Sequence, residues 1–184
     1  MILGMLGQKR VGKDTAADLI CREKPQFIKV SLAEPMKHAV MVIFDWTDEH
    51  VNGSLKEVID PFWGISPRQA LTSLGTEWAQ KTLCEMFPQF ATTTGRKLWV
   101  KSLLRKYEGK DIVIADVRFQ HEVDAIREIG GKIIKIERPE LVNTDTHESE
   151  QAWKIFNYDA LIVNDASLVE YYTQVIIAYS NVNK

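Results

Sequence analysis

The chain is short of cysteine, of long apolar runs and of net charge, and each shortage excludes a class of protein. Its 184 residues include two isolated cysteines, Cys21 and Cys84, too few for a disulfide framework or a cysteine-rich metal cluster. No apolar run approaches the roughly 20 residues that span a bilayer. The formal net charge of −2 disfavours dependence on bulk nucleic-acid binding. We therefore expect a cytoplasmic protein without a membrane anchor or stable nucleic-acid binding.

Low-complexity linkers, internal repeats and a charged secretory leader are also missing from the sequence. The composition, 45% hydrophobic and 26% charged, is ordinary for a globular protein. We predict one domain over 1–184, with an insertion at about 45–100 and a short acidic lid at about 137–153. No signal peptide is expected.

A glycine loop near the start of the chain is the most specific motif. Gly7-Gln8-Lys9-Arg10-Val11-Gly12-Lys13 matches G-x-x-x-x-G-K, after an apolar run at 1–6 and before a helical pattern at 14–23. Glycines let the backbone approach a ligand, and the loop N–H groups with the helix N-terminus form an anion cradle. The predicted nucleotide-binding residues are Gly7, Lys9, Arg10, Val11, Gly12, Lys13, Asp14 and Thr15.

The loop departs from the usual pattern at one position. Asp14 stands where a serine or threonine hydroxyl normally binds Mg²⁺, and Thr15 follows it. Either the Asp14 carboxylate or the Thr15 hydroxyl could serve the metal.

A second carboxylate follows a buried run about a hundred residues later. The run from Asp111 to Ala115 is apolar on both faces, as in a central parallel strand, and ends at Asp116. Ligands of open α/β sheets bind at the carboxyl ends of strands, so Asp116 is placed to complete a metal site. Arg118 and Glu122 follow closely.

The pattern of elements predicts an α/β protein with the P-loop NTPase three-layer fold. Candidate strands alternate with helices, which favours a parallel five-stranded sheet with helices on both faces. The strands are predicted at 2–6, 27–32, 112–116, 132–136 and 159–163.

The middle of the chain is less regular. We predict an irregular cover at 45–63, a helix started by a Ser66-Pro67-Arg68-Gln69 capping box, and a polar break at 88–95. The buried stripe of that helix is predicted as Ala70, Leu71, Leu74 and Trp78. Arg68 lies in the first turn, where the helix dipole disfavours a cation. Either an anion binds there beside Arg68, or Arg68 is simply solvated. The basic face of the next helix, from Arg96 to Lys106, is read as solvated rather than as a nucleic-acid patch.

The remaining residues favour a small-molecule kinase over other phosphate-loop proteins. A switch GTPase needs an N-K-x-D segment, and Asn164-Asp165 lacks its lysine. A kinase needs a second anion site with arginines, because phosphoryl transfer depends on positioning and charge neutralisation. Candidates at element ends are Arg68, Arg96, Arg118 and Arg138.

Several segments together resemble the bacteriophage-type deoxynucleoside monophosphate kinases. The loop at 7–18 is similar to the family's G-x-K-R-x-G-K-D-T opening, in which the aspartate is usual, and Ser31-Leu32-Ala33-Glu34-Pro35-Met36-Lys37 is similar to S-F-A-x-P-L-K. Pro67-Arg68 with Leu74-Gly75-Thr76-Glu77-Trp78 resembles P-R-x-x-L-x-x-L-G-T-E-W. The segment 116–122 resembles D-V-R-F-P-N-E, and His147-Glu148-Ser149-Glu150 resembles H-x-S-E more weakly.

The resemblance implies transfer of the γ-phosphoryl of ATP, with Mg²⁺, to a deoxynucleoside 5′-monophosphate. It implies catalytic roles for Lys13, Asp116, Arg118 and Glu122. It implies metal ligands among Asp14, Thr15 and Asp116, although Asp116 could instead orient the acceptor phosphate. The implied acceptor-binding residues are Arg68, Glu77, Trp78, Arg96, Trp99 and Arg118, with Trp99 either stacking on a base or packing. A homodimer is possible by resemblance.

The sequence also departs from the family pattern. Ala79-Gln80 stands where relatives often have Gly-Arg, and the acidic lid holds one arginine, Arg138, so Arg10 is a candidate to compensate. Two other hypotheses stay open. One is a small kinase acting on dephospho-coenzyme A or a phosphomevalonate-like acceptor. The other is a nucleotide-binding assembly protein that meets nucleic acid through 96–106.

Overall fold

The computed structural model describes residues 1–141 and 155–183, which form two compact units. The sheet unit comprises Met1–Leu32 and Leu103–Lys184, and the helical unit comprises Ala33–Ser102. Most of the predicted lid, from 142 to 153, and the segment at 147–150 lie outside the described residues. The single domain and the insertion at 45–100 therefore stay predictions.

The sheet unit is built on five parallel strands in the order β2-β3-β1-β4-β5. The strands are β1 (Ile2–Leu6), β2 (Phe27–Val30), β3 (Asp111–Val117), β4 (Lys132–Glu137) and β5 (Ala160–Val163). Its helices are α1 (Lys13–Glu23), α8 (Gln120–Glu128) and α9 (Leu168–Val182). The predicted five-stranded parallel sheet is confirmed, and β1 is its middle strand.

Helices cover both faces of this sheet, as predicted. On one face α1 and α9 bury a cluster that includes Leu3, Met5, Ile134 and Val175. On the other, Ile126 of α8 packs so closely on β1 that a Cβ at Gly4 would meet its side chain at 3.1 Å. The three inner strands β1, β3 and β4 are buried on both faces, which explains their continuous apolar runs.

One predicted strand is too long. β2 was expected to reach residue 32, but it ends at Val30. The next two residues leave the ladder because the Ser31 hydroxyl and the Leu32 N–H both donate to Asp116.

The helical unit consists of short segments. They are α2 (Glu34–Phe44), α3 (Asp48–Val51), a 3₁₀ turn (Ser54–Glu57), α4 (Pro67–Thr72), a π-helix (Ser73–Thr82), α5 (Leu83–Met86), α6 (Pro88–Thr93), a second 3₁₀ turn (Gly95–Lys97) and the first half of α7 (Leu98–Lys106). The predicted capping box at Ser66 is confirmed: Ser66 Oγ accepts from Gln69 N, and Gln69 Oε1 accepts from Ser66 N. No helix within the two described ranges is long and apolar enough to cross a bilayer.

Two expectations for this unit are wrong. The polar break at 88–95 is largely the helix α6, begun by Pro88 at its first position. The stretch at 45–63 is not simply irregular, since it contains α3 and a 3₁₀ turn. Its Trp46 and Val51 belong to the core of the unit with Val40 and Ala70, because apolar side chains in a polar stretch still gain by burial.

The buried stripe after α4 is also partly wrong. Trp78 was expected inside, but it is 44% exposed, whereas Gly75, Ala79 and Gln80 are buried. The prediction used the 3.6-residue period of an α-helix. Residues 73–82 form a π-helix with i→i+5 hydrogen bonds, and the wider turn rotates Trp78 away from the buried face.

Candidate functional site

The glycine loop joins β1 to α1 in a conformation that requires glycine. Gly7 and Gly12 have φ of 150° and 110°, and Arg10 is also left-handed at 68°. A Cβ at Gly7 would lie 2.4 Å from the backbone oxygen of Ile136. Because that atom belongs to the backbone, no side-chain rotation could remove the clash. The backbone of the loop is therefore held against β4 and has the alternating conformations that turn N–H groups toward an anion.

Lys13 lies across this loop. Its side chain is 7% exposed, and Nζ donates to the carbonyl oxygens of Gly7 (2.7 Å) and Gln8 (2.6 Å). A buried ammonium group held beside a turn of backbone N–H groups concentrates positive charge there. The residues present thus fit the phosphates of a nucleotide.

Asp14 forms an ion pair that the sequence did not suggest. Lys29 on β2 donates to Asp14 Oδ1 (3.0 Å) and to Asp18 Oδ1 (2.9 Å), one helical turn apart on α1. Burial acts to lower the pKa of Lys29, but hydrogen bonds to Asp18 and Asp14 outweigh it and raise the pKa above its ordinary value. The Asp14 side chain is nevertheless 79% exposed, and Thr15 is half-buried beside it. A role of Asp14 or Thr15 as a metal ligand stays a prediction.

Asp116 lies near the carboxyl end of β3, as predicted. The register pairs Leu6 with Val117, so Asp116 is level with the end of β1, where the glycine loop begins. Its carboxylate accepts from Ser31 Oγ (2.7 Å) and Leu32 N (2.8 Å). These contacts fix the orientation of the carboxylate beside the loop.

Glu122 has a structural task next to Arg118. It is buried at the first turn of α8, and Oε2 accepts from the backbone N–H groups of Arg118 (2.7 Å) and Phe119 (3.0 Å). Burial raises the pKa of Glu122 to about 7, although the two N–H donors act in the opposite direction. Glu122 thereby fixes the turn that carries Arg118, so its expected help in binding phosphate is exerted through the backbone.

In the helical unit, side chains join the π-helix to the second 3₁₀ turn and to the start of α7. Arg96 Nε donates to Gln80 Oε1 (3.1 Å), and Trp99 Nε1 donates to Gly75 O (3.0 Å). The bond to Gly75 supports packing for Trp99, one of the two alternatives left open.

The other predicted acceptor residues of the helical unit are paired at its surface. Arg68 Nε lies 2.9 Å from Glu57 Oε1, and Glu77 pairs with Lys81 at 3.0 Å. Trp78 is partly exposed. The roles of these residues toward an acceptor stay predictions.

Metal binding by protein groups alone is not supported. Among the described residues, no group of three or more His, Cys, Asp or Glu side chains could hold a metal ion. Mg²⁺ in kinases is usually held by substrate phosphates, waters and one or two protein ligands, and the assignment of Asp14, Thr15 and Asp116 as such ligands stays a prediction.

Two contacts to the loop were missed by sequence reasoning. Asn164, interpreted only as a turn residue, donates from Nδ2 to Val11 O (2.9 Å), and Tyr171 Oη donates to Gly12 O (2.8 Å). Both residues lie about 150 positions from the loop, so no local pattern could have connected them to it.

A parallel sheet whose middle strand leads into a glycine loop with a buried lysine, beside a strand-end carboxylate, defines a phosphate-loop nucleotide-binding protein. The family model described as deoxynucleotide monophosphate kinase matches residues 1–66 and 86–175. The chain belongs to this family, as its motifs predicted, and it is a nucleotide kinase.

Curated relatives agree with the family match. A protein of Acanthamoeba polyphaga mimivirus, assigned provisionally to the same activity, is 36% identical over 191 residues, which cover 100% of this chain and 98% of the relative. The deoxynucleotide monophosphate kinase of Enterobacteria phage T4 is 28% identical over 174 residues, 88% of this chain and 66% of the relative.

The family match omits 67–85, the stretch that carries Arg68, Glu77 and Trp78. For that stretch the resemblance to the family rests on its motif and on the full-length alignment with the mimivirus relative. Dephospho-CoA kinase from Campylobacter jejuni shares 17% identity and a TM-score of 0.46, over 98% of this chain and 96% of that one. This likeness is too weak to favour a coenzyme A precursor as acceptor.

Proposed function

We propose that the protein transfers the γ-phosphoryl group of ATP to a deoxynucleoside 5′-monophosphate, supplying deoxynucleoside diphosphates for DNA synthesis. The carrying observation is the glycine loop with buried Lys13 beside Asp116, in a chain whose family is named for deoxynucleotide monophosphates. Breaking the bond from the γ-phosphorus to its bridging oxygen releases ADP. An oxygen of the acceptor phosphate forms the new bond.

The donor side of the proposed reaction uses the loop. Lys13 and the N–H groups of 7–15 would bind the ATP phosphates, where positive charge offsets the charge that develops on the departing ADP. Mg²⁺, with ligands among Asp14, Thr15 and Asp116, would neutralise phosphate charge.

The acceptor side depends on arginine. Arg118, held by Glu122 through its own N–H, is proposed to bind phosphate, because a guanidinium matches phosphate oxygens in a bidentate manner. Arg68 and Arg96 are proposed to hold the acceptor monophosphate, with Glu77, Trp78 and Trp99 around the nucleoside. A homodimer stays a prediction.

The test is to incubate the protein with ATP, Mg²⁺ and each common deoxy- or ribonucleoside monophosphate in turn, and to measure ADP. We expect turnover with at least one deoxy acceptor. Lys13→Ala and Asp116→Asn should each lower kcat by about 10²-fold or more, since each removes a charged side chain that is proposed to act on the transferring phosphoryl group.

Matched controls are Lys110→Ala and Asp124→Asn, which alter exposed residues outside the loop and should keep turnover. If the folded protein forms no ADP with any nucleotide acceptor, the proposal is wrong.

A further inference from the structure

Side chains from the C-terminal part of the sheet unit hold the glycine loop by its carbonyl groups. Asn164 follows β5, and Tyr171 lies in the first turns of α9. Asn164 donates to the oxygen of Val11 at 2.9 Å, and Tyr171 donates to the oxygen of Gly12 at 2.8 Å. Two consecutive peptide groups of the loop are thus bound from the same side.

The geometry of the peptide bond gives these contacts a consequence. In a planar trans peptide, the carbonyl of one residue and the N–H of the next point in opposite directions. The protein has no cis peptide among its described residues. Binding the Val11 and Gly12 carbonyls on the α9 side therefore turns the N–H groups of Gly12 and Lys13 away from α9. These are N–H groups that a phosphate loop uses.

Both donors are themselves held in place. The backbone N–H of Asn164 donates to Glu137 O at 2.7 Å, which extends the pairing of β4 and β5 by one residue. The preceding N–H, of Val163, donates to Gln174 Oε1 on α9 at 3.1 Å. The direction of the Asn164 side chain is consequently set by the sheet on one side and by α9 on the other.

Tyr171 is fixed by burial. Its ring is 2% exposed and lies in the same core cluster as Val11. Burial raises the pKa of its hydroxyl above the ordinary value, with a smaller effect from Tyr172, so the hydroxyl stays a donor at physiological pH. A Cβ added to Gly12 would lie 2.8 Å from Tyr171 Oη and 3.1 Å from Asn164 Nδ2, which shows how closely both groups approach the loop.

We propose that Asn164 and Tyr171 are positioning residues of the phosphate loop, which set the affinity for the phosphates of the nucleotide donor by orienting the Val11 and Gly12 peptide groups. The inference rests on the proposed function only in requiring that the loop bind nucleotide phosphates. Neither residue needs to touch the nucleotide. Their effect is preorganisation, because a loop already in its binding conformation loses less entropy when a ligand binds.

The decisive variant is Tyr171→Phe, which keeps the buried ring and removes the donor. The matched control is Tyr179→Phe, the same change two turns later on α9, where the ring packs edge-on against Phe27. The measurement is the Kd of ADP with Mg²⁺ by calorimetry, together with the thermal unfolding midpoint of each protein. Binding of inorganic tripolyphosphate reports on the phosphates without the base.

We expect Tyr171→Phe to weaken ADP and tripolyphosphate binding about fivefold to tenfold, the usual effect of one lost hydrogen bond. The KM for ATP should rise more than kcat falls. Tyr179→Phe should leave both affinities within about twofold of the unmodified protein, because its ring packs against Phe27 away from the loop. The unfolding midpoints show whether either change also lowers the stability of the fold. Asn164→Ala should act in the same direction as Tyr171→Phe.

The double variant provides a second measure. Because both residues orient adjacent peptide groups, their effects on the Kd of ADP should not add: the loss in the double variant should be smaller than the product of the single losses. Equal losses in Tyr171→Phe and Tyr179→Phe, or unchanged ADP affinity in Tyr171→Phe and Asn164→Ala, would overturn the inference.

This outcome is separable from failure of the proposed function. If the unmodified protein binds ADP but never phosphorylates a nucleoside monophosphate, the acceptor assignment fails and the loop inference is still tested by binding. If the unmodified protein binds neither ADP nor tripolyphosphate, the donor site and this inference fail together.

Discussion

The two units of the chain are stabilised in different ways. The sheet unit buries its three inner strands on both faces, and its core includes residues from β1, β4 and α9 that are far apart in sequence. One core cluster of the helical unit consists of four buried residues, Val40, Trp46, Val51 and Ala70. Its connecting segments are joined by side-chain hydrogen bonds, such as that from Trp46 to Asp60 at 2.7 Å. The core of the sheet unit thus joins segments from both ends of the chain, whereas this cluster joins residues within 40–70.

Glu122 of the sheet unit and two carboxyl groups of the helical unit shift their pKa values in opposite directions. Burial raises the pKa of Glu122 in the sheet unit. In the helical unit, hydrogen bonds from Ser54 lower the pKa of Glu49, and the hydrogen bond from Trp46 lowers that of Asp60, although burial opposes each. A buried carboxyl group is destabilised by its charge, whereas an exposed one is stabilised by its donors.

The largest expected effect is in the glycine loop of the sheet unit. Gly7→Ala places a Cβ 2.4 Å from Ile136 O at φ 150°, so we expect a loss of about 3–5 kcal/mol in the free energy of unfolding. Nucleotide binding should be abolished. Urea denaturation and ADP calorimetry measure the two effects.

Gly130→Ala is the control for backbone strain alone. Its φ is also positive, 77°, but nothing lies within 4 Å of the added Cβ. The loss should be about 1–2 kcal/mol, with nucleotide binding retained. Equal destabilisation by the two changes would show that the contact with β4 does not restrain the loop.

The next effect is a pH dependence of opposite sign for Glu122 of the sheet unit and for Glu49 and Asp60 of the helical unit. The pKa of Glu122 rises on folding from 4.5 to about 7, so folding takes up a proton between these values. Its contribution to stability is complete below about pH 4.5 and is lost as pH rises through 7, by roughly 1–3 kcal/mol. Urea midpoints should therefore fall between pH 5 and 8 relative to Glu122→Gln, which keeps an acceptor oxygen but does not titrate.

Glu49 and Asp60 should behave in the reverse way. Their pKa values are lowered on folding, so their contribution is present above the ordinary values and is lost on acidification. The protection of amide groups in the helical unit, measured relative to the intrinsic exchange rate at each pH, should therefore fall below about pH 4. If Glu122→Gln leaves the pH profile unchanged, the buried carboxyl group is not the source of the difference between the units.

A smaller effect tests whether the helical unit has a core of its own. Trp46 is 4% exposed and Trp63 is 42% exposed, although both indole N–H groups donate. Trp46→Phe should cost about 2 kcal/mol, and Trp63→Phe less than about 1 kcal/mol. Amide exchange should accelerate in 33–102 for Trp46→Phe; equal effects of the two changes would argue that burial of Trp46 is not stabilising.

The smallest effect is one in which the units should not differ. Ser66 and Ser167 each begin a helix with a capping box, one in each unit. Replacement of either serine by alanine should cost about 1 kcal/mol, because each leaves one helix N–H without its side-chain acceptor. Thermal denaturation measures both, and a large inequality would show that tertiary packing, not the cap, fixes one of the helix starts.

The same contrast explains what could be predicted from sequence. In the sheet unit, apolar runs, the glycine loop and Asp116 carry local signals, and the five strands were found to within two residues at each end. In the helical unit, the Ser66 cap was recognisable, but the exposure of Trp78 was not. A prediction based on the 3.6-residue period of an α-helix does not detect a π-helix, because its i→i+5 hydrogen bonds depend on packing over the whole unit.

The candidate site shows a similar division. Gly7, Lys13 and Asp116 were predicted from pattern and spacing, and the register of β1 with β3 brings them to one edge of the sheet. The bonds from Asn164 and Tyr171, and the pairing of Lys29 with Asp14, join residues whose only relation is through tertiary structure. Predicting them requires the strand order and the position of α9, which no single segment encodes.

The position of β1 in the middle of the sheet also has a consequence for protein synthesis. Its two neighbours, β3 and β4, are complete only at residues 117 and 137. During synthesis, the glycine loop is thus made well before the two strands that flank β1. The helical unit is contiguous in sequence and has short-range contacts, so it can fold before β3 and β4 are available to pair with β1.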